Sequence, residues 1–171
     1  MDIHTEDVTL HLLTFEETER VLRFQHPDGE EWAPGYPSTE QVDYLQAYLV
    51  ELRSAKPGSY WQSQLRRRAD RMVIGGAGVT LMHDPRGTAV IGYEIAPPLP
   101  DEDFGAQIVS ALIDVARDMD ARRATTSTRR DDALRQHAYL RAGLTETSRS
   151  NGVVHFGIDL DSMLPRLSLY S

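Results

Sequence analysis

The stretch Ile91–Leu112, IGYEIAPPLPDEDFGAQIVSAL, decides how this chain folds. Ile91–Ala96 is apolar and β-prone, Pro97, Pro98 and Pro100 mark a short loop, and a helical pattern follows. Phe104, Ile108, Leu112, Val115 and Met119 fall on one face of a long amphipathic helix. A strand feeding a helix in this way aims the helix's first N–H groups out of the sheet edge. Those groups have no intrahelical partner and sit at the positive end of the dipole, so the junction suits an anion. The loop itself carries Asp101, Glu102 and Asp103, so its charge opposes its geometry.

Working outward, Tyr60–Arg68, Met72–Met82 and Thr88–Ala96 read as strands, with His83–Gly87 as a hairpin loop. Val8–Leu13 supplies an earlier strand. Thr14 with Glu17, and Ser38 with Gln41, are capping-box patterns that open two helices. The second runs over Ser38–Arg53, with Val42, Leu45, Leu49 and Leu52 at helical spacing. Between the two, His26–Pro37 is a Gly- and Pro-rich loop containing Trp32 and Tyr36, and Lys56-Pro-Gly58 is a turn. Downstream, Arg123–Thr128 is a strand and Asp131–Ala142 a helix stopped by Gly143 at C′. Leu144–Arg149 and Val153–Leu160 flank Asn151-Gly152, a type I′ hairpin signal. The order predicts an α/β (α+β) fold: a mixed, mostly antiparallel sheet of six or seven strands with about four helices.

A chain of 171 residues suits one domain, 1–171, with a sizeable core. The formal charge of −8 argues against nucleic acid as a partner. There is no cysteine, which excludes disulfides, thiolate nucleophiles and cysteine-ligated metals. The start, MDIHTEDV, lacks the apolar core of a signal peptide, and no apolar run approaches the roughly 20 residues of a membrane span. A cytoplasmic protein with no membrane partner is the expectation. His83 and His155 have no partner at metal-ligand spacing, so no metal is predicted. His137 precedes Tyr139 by two and points to another helix face. Gly75-Gly-Ala-Gly78 opens no helix and is not a dinucleotide fingerprint; its glycines permit close strand packing.

The element order, with the residues on it, resembles the GNAT acyltransferases, in the branch that acetylates protein N-termini and small amines. The resemblance covers nearly the whole chain. It is carried by Trp32-Ala-Pro-Gly-Tyr-Pro37, by Val73-Ile-Gly-Gly76, by Ile91-Gly-Tyr-Glu-Ile-Ala-Pro97, and by Tyr139-Leu-Arg-Ala-Gly-Leu144, which is similar to the family's Tyr-Glu-Lys-Leu-Gly-Phe segment.

The resemblance implies acetyl-CoA as cosubstrate, wedged where two neighbouring strands part. Ile95 and Ala96 would then offer backbone groups to the pantetheine arm. The family's pyrophosphate pattern, Arg/Gln-x-x-Gly-x-Gly/Ala, falls on Pro100–Gly105. Gly105 keeps the last small residue, but the leading Arg/Gln is Pro100 and the key glycine is Asp103. Phe104 and Gly105, with Asp103, would lie against the phosphates. One carboxylate–phosphate pair at ~6 Å costs on the order of 2–3 kcal/mol at an effective dielectric of about 20, before screening. Asp103 is also a good N-cap, whose side chain would occupy N–H groups that a phosphate needs.

Tyr139 matches the family tyrosine that protonates the departing sulfur; the plain alternative is a ring packed on the sheet. The family's acidic position before the Ile-Gly pair is Val90 here, which leaves Glu94 as the candidate base or amine ligand, or an exposed strand glutamate. Asp132 stands where an asparagine often binds the cofactor chain, or is a second acidic residue at a helix start. Trp32 and Tyr36 would line the acceptor pocket, or pack within their loop. Arg66-Arg-Arg68 and Arg129-Arg130 are candidates for cofactor phosphates, against solvated surface cations. The acceptor would be a small-molecule amine or a protein N-terminus. A homodimer is a further possibility, with the tail LPRLSLYS packing on a second copy. The alternative function is a degenerate member that no longer binds CoA and acts as a ligand-binding, regulatory or differently catalytic protein.

Overall fold

The structure, a computed structural model, describes residues 1–54, 58–97, 99 and 104–161. Lys56 and Pro57 of the expected turn, the loop residues Pro100, Asp101, Glu102 and Asp103, and the tail 164–171 lie outside the described residues.

The first strand, β1 (Asp2–His4), pairs antiparallel with β2 (Val8–Leu12). Helices α1 (Phe15–Leu22) and α2 (Thr39–Leu52) follow, then a meander of β3 (Tyr60–Arg67), β4 (Val73–Leu81) and β5 (Thr88–Ile95). Helix α3 (Gly105–Asp118) crosses over to β6 (Arg123–Arg129). Helix α4 (Ala133–Arg141) leads to the hairpin β7 (Thr145–Ser150) and β8 (Val153–Asp159). Among the described residues one sheet of 8 strands results, in the order β1-β2-β3-β4-β5-β6-β8-β7. The strand beyond the expected six or seven is β1. Its three residues, with only Ile3 half-buried, are too few and too polar to display a period of two.

Local chemistry explains the element ends. Thr14 Oγ1 accepts from Glu17 N at 3.2 Å while Glu17 Oε2 accepts from Thr14 N at 2.8 Å. Ser38 and Gln41 repeat this at 3.2 and 2.8 Å. Helix α4 ends in a Schellman motif: Gly143 takes φ +100, Gly143 N donates to Leu140 O, and Leu144 N donates to Tyr139 O. Asn151 and Gly152 both have positive φ, as a type I′ turn requires.

Helix α3 buries Ile108, Leu112, Val115 and Ala116 against Val79, Ala89 and Ile91 in the main core. Each fully buried Leu or Ile contributes roughly 1.5–3 kcal/mol. A second cluster, with Leu13, Val21, Leu45, Tyr48 and Val73, holds α1 and α2 near the β3–β5 meander. No helix among the described residues is long and apolar enough to cross a membrane.

Candidate active site

Strands β5 and β6 are parallel, and they pair only at Thr88↔Arg123, Ala89↔Ala124 and Val90↔Thr125. Beyond Val90, β5 stays paired with β4 as far as Ile95, while β6 continues on β8. A gap therefore opens in mid-sheet. The β4–β5 ladder shows which backbone groups face it. Thr88 O accepts from Met82 N at 2.9 Å, and Ala96 N donates to Ile74 O at 2.8 Å. Even-numbered residues of β5 thus bond β4, and odd-numbered ones, Ile91 and Ile95 among them, turn their N–H and C=O toward the gap. Ile95 thus borders the gap with its backbone edge. Ala96 is not available in the same way: its N–H is committed to Ile74 and its carbonyl accepts from Leu99 N at 3.1 Å.

The start of α3 corrects the expected cap. The N-cap is Phe104 rather than Asp103, its side chain makes no capping hydrogen bond, and the first turn carries no acidic residue. Gly105, the first helical residue, is buried.

On the face of the sheet next to α2, three cross-strand rows are in register. Tyr60, Thr80 and Val90 form one, Gln62, Gly78 and Gly92 the next, and Gln64, Gly76 and Glu94 the third. Residues opposite each other on neighbouring strands share a face. Gly92 leaves the sheet bare there, the Gln62 side chain lies over Gly78, and the three glycines line the floor of a cleft walled by Tyr36, Gln41 and Tyr44. Glu94 lines it. Its Oε2 accepts from Ser38 Oγ at 2.8 Å, and its backbone carbonyl accepts from Gln41 Nε2 at 3.4 Å. The carboxylate is thus held at the N-terminus of α2, whose dipole favours an anion. Glu40 is a second carboxylate on the cleft. Burial pushes the Tyr36 phenol far above its ordinary range, and burial with the Glu40 charge raises that of Tyr44. Both phenols are donors, not bases, at neutral pH.

Tyr139 reaches the same cleft from α4. It is 2 % exposed, with its ring tilted on Phe156 at 5.3 Å and edge-on to Tyr93 at 6.3 Å. Thr126 Oγ1 donates to its Oη at 3.3 Å. The Arg135 guanidinium lies 5.0 Å over the Tyr93 ring, one helical turn before Tyr139, and also lines the cleft. The structure therefore brings Tyr139, Glu94 and Tyr36 to one cavity.

It does not bring Trp32 there. Trp32 Nε1 donates to Glu30 Oε1 at 2.7 Å, and its ring packs edge-on to Tyr36 at 5.2 Å, so it buttresses the wall and is absent from the cleft lining. Asp132 is the N-cap of α4, accepting from Arg135 N at 3.0 Å. The arginine run is tied to its neighbours: Arg66 lies 3.6 Å from Glu30, Arg67 bonds Asp70 at 2.7 Å, and Arg68 donates to Thr5 O at 2.7 Å. Arg129 pairs with Asp131 at 2.7 Å. His137 is exposed, and His83 shares a 2.5 Å contact with Ser59. Sequence reasoning missed Ser38, Gln41, Gln62 and Gly92. The signal that could have found the last two is the alternation of Gly76 and Gly78 on one strand with Gly92 and Glu94 on the next.

Residues 7–145 match the family described as acetyltransferase (GNAT) domain. No curated protein matches the chain. Among solved structures, the fold is similar to a ribosomal-protein-S5-alanine acetyltransferase from Vibrio fischeri, with a TM-score of 0.69 and 12 % identity over 96 % of this chain and 100 % of that one. It is also similar to a spermidine N-acetyltransferase from Vibrio cholerae, solved with CoA and spermine. That likeness has a TM-score of 0.63 and 13 % identity, over 92 % of this chain and 98 % of the other. At such identities the likeness is one of fold.

Proposed function

The chain belongs to the GNAT acetyltransferase family, and we propose that it moves an acetyl group from acetyl-CoA to the nitrogen of a small amine or a protein N-terminus. The observation that carries this reading is the β5–β6 ladder that stops after Val90↔Thr125, with Tyr139 and Glu94 lining one cleft beside the gap.

The residues present suit acetyl-CoA. Ile91 and Ile95 turn backbone donors and acceptors to the gap, which matches the amides of a pantetheine arm. The first turn of α3, from Phe104 and Gly105, carries no acidic residue, so its N–H groups suit a phosphate. Asp132 is taken up in capping α4 and is better read as a structural residue. When bound, acetyl-CoA supplies the acetyl group as a thioester.

The remaining tasks fall to the chain. Glu94, oriented by Ser38, holds the incoming amine and takes its proton, directly or through one water. The amine attacks without any acyl group forming on the protein. Tyr139 gives its Oη proton to the departing sulfur. In its bond with Thr126 the oxygen is the acceptor, so that bond does not consume the proton. Tyr36 shapes the acceptor side, with Trp32 behind it.

The test is calorimetric titration with acetyl-CoA at low and moderate salt, with free CoA as a control. Micromolar binding is expected, followed by turnover across an amine panel. No binding at millimolar cofactor would leave the fold without the chemistry, the outcome that the acidic run Asp101–Asp103 favours.

A further inference from the structure

We infer that Gln62 and Gly92 form a subsite that recognises a carboxamide next to the reacting amine, so that the acceptor is the N-terminal residue of a peptide. The inference rests on the acetyl-transfer reading above and narrows its acceptor.

Two separate observations meet in one cross-strand row. The first is Gln62. Its residue is 8 % exposed, it lines the cleft, and its side-chain amide makes no hydrogen bond with any described residue. The amide atoms are not sealed from solvent and bond no described residue, so they stand ready to pair with what occupies the cleft. The side chain lies over Gly78: a Cβ at Gly78 would come within 2.2 Å of Gln62 Nε2 and 2.6 Å of Oε1. The amide therefore reaches from β3 across β4, and the next residue in its row is Gly92.

The second is Gly92 itself. A Cβ there would meet nothing within 4 Å, and its φ is not in the left-handed region. Neither close packing nor backbone conformation calls for glycine. Gly75 differs, since a Cβ there would lie 2.0 Å from Glu94 O. A strand glycine with open space above it weakens the strand and gains nothing for the fold. The space is explained by a ligand that lies close to the strand.

The chemistry of the pair selects the ligand. A glutamine amide offers a carbonyl acceptor and an NH2 donor side by side. A second cation would use only the carbonyl, and a carboxylate only the NH2. A carboxamide uses both, and its flat shape fits the open space over Gly92. Glu94, next along β5 on the same face, is then placed for the α-amine attached to that amide.

The experiment compares alaninamide with 1,4-diaminobutane as acceptors, because Glu40 and Glu94 together make a dication the natural competitor. In Gln62→Leu the ratio of kcat/KM for alaninamide over the diamine should fall tenfold or more; comparing proteins cancels the different basicities of the amines. The melting temperature of Gln62→Leu should stay close to that of the wild type, since the amide gives up no protein hydrogen bond. Gly92→Ala should fold with an unchanged or higher melting temperature and raise KM for alaninamide at least tenfold. An unchanged ratio in Gln62→Leu, or an unchanged KM in Gly92→Ala, overturns the subsite while leaving acetyl transfer intact. Destabilisation by Gln62→Leu overturns it too, by showing that the amide serves the fold. Wild-type turnover of neither amine sinks this inference together with the acetyl-transfer reading.

Discussion

Ser38 Oγ donates to Glu94 Oε2 at 2.8 Å, and the same Oγ accepts from Gln41 N at 3.2 Å. One hydroxyl therefore caps α2 and orients the carboxylate proposed as base. Replacing Ser38 by alanine should remove both functions at once. Loss of the cap costs about 1 kcal/mol, readable as a lower midpoint in denaturant. Loss of the Glu94 partner should lower kcat/KM for the amine roughly tenfold. Ser38→Thr keeps the hydroxyl and should recover most of both. A Ser38→Ala enzyme with full activity and reduced stability would confine the serine to capping.

Tyr139 is buried against Phe156 and Tyr93 and lines the cleft. Tyr139→Phe keeps the ring contacts with Phe156 and Tyr93 and loses only the hydroxyl. Stability should change by about 1 kcal/mol, the value of the Thr126 bond. Turnover should fall on the order of 10²–10⁴-fold, as for removal of a general acid. Titration with acetyl-CoA should give nearly the wild-type affinity. Equal turnover in the two proteins would remove Tyr139 from the chemistry.

The sequence discloses elements whose cause is local. Thr14 and Ser38 announce their helices through residues three places on, and Asn151-Gly152 and Gly143 announce their turns through backbone freedom. Ile91–Ala96 is legible because its odd-numbered residues Ile91, Tyr93 and Ile95 are buried in the core at a period of two. The candidate site is legible only where it coincides with such an element, as the proposed residues Tyr139 and Glu94 do. The end of the β5–β6 ladder at Val90 depends on the course of β6, a partner distant in sequence, and no local pattern encodes it. Gln62 reads as an ordinary polar strand residue until its row is known. Ala96 reads as part of the strand, and only the ladder phase shows that its N–H belongs to Ile74. Trp32 misleads because an aromatic in a loop looks the same whether it faces a cavity or supports the residue that does.

His11 joins β1 to α1 by bonding Asp2 at 2.6 Å and Glu17 at 2.9 Å. Burial pushes both carboxyls up. For Asp2 the hydrogen bond and charge of His11 outweigh it, and for Glu17 the hydrogen bonds from Thr14 and His11 do, so both lie below their ordinary 3.8 and 4.5. A carboxyl held low in the folded state contributes stability above its unfolded value and loses that contribution as pH falls through the folded value. Thermal stability should therefore decline as pH drops below 4.5 and on through 3.8. The double variant Asp2→Asn, Glu17→Gln should lose less over that window. At neutral pH it should start on the order of 0.5 kcal/mol lower, since partly exposed pairs are screened. Melting curves across the window check both statements, and an equal decline in the two proteins would place the acid sensitivity elsewhere.

Gly75 is glycine because β5 leaves no room for anything else. A Cβ there would sit 2.0 Å from Glu94 O and 3.1 Å from Ile95 Cα, both backbone atoms that no rotamer change can move. Gly75→Ala must therefore push β4 and β5 apart at the point where β5 borders the gap. Overpacking of this kind costs about 1–3 kcal/mol. The displaced segment carries the Glu94 carboxylate and the Ile95 backbone edge together. Acetyl-CoA affinity and amine turnover should accordingly fall in parallel, beyond what the loss of folded protein explains. Activity measured well below the melting transition, per mole of folded enzyme, separates the two. A variant that melts lower but binds and turns over normally would show that the strand relaxes toward β3 and leaves the site in place.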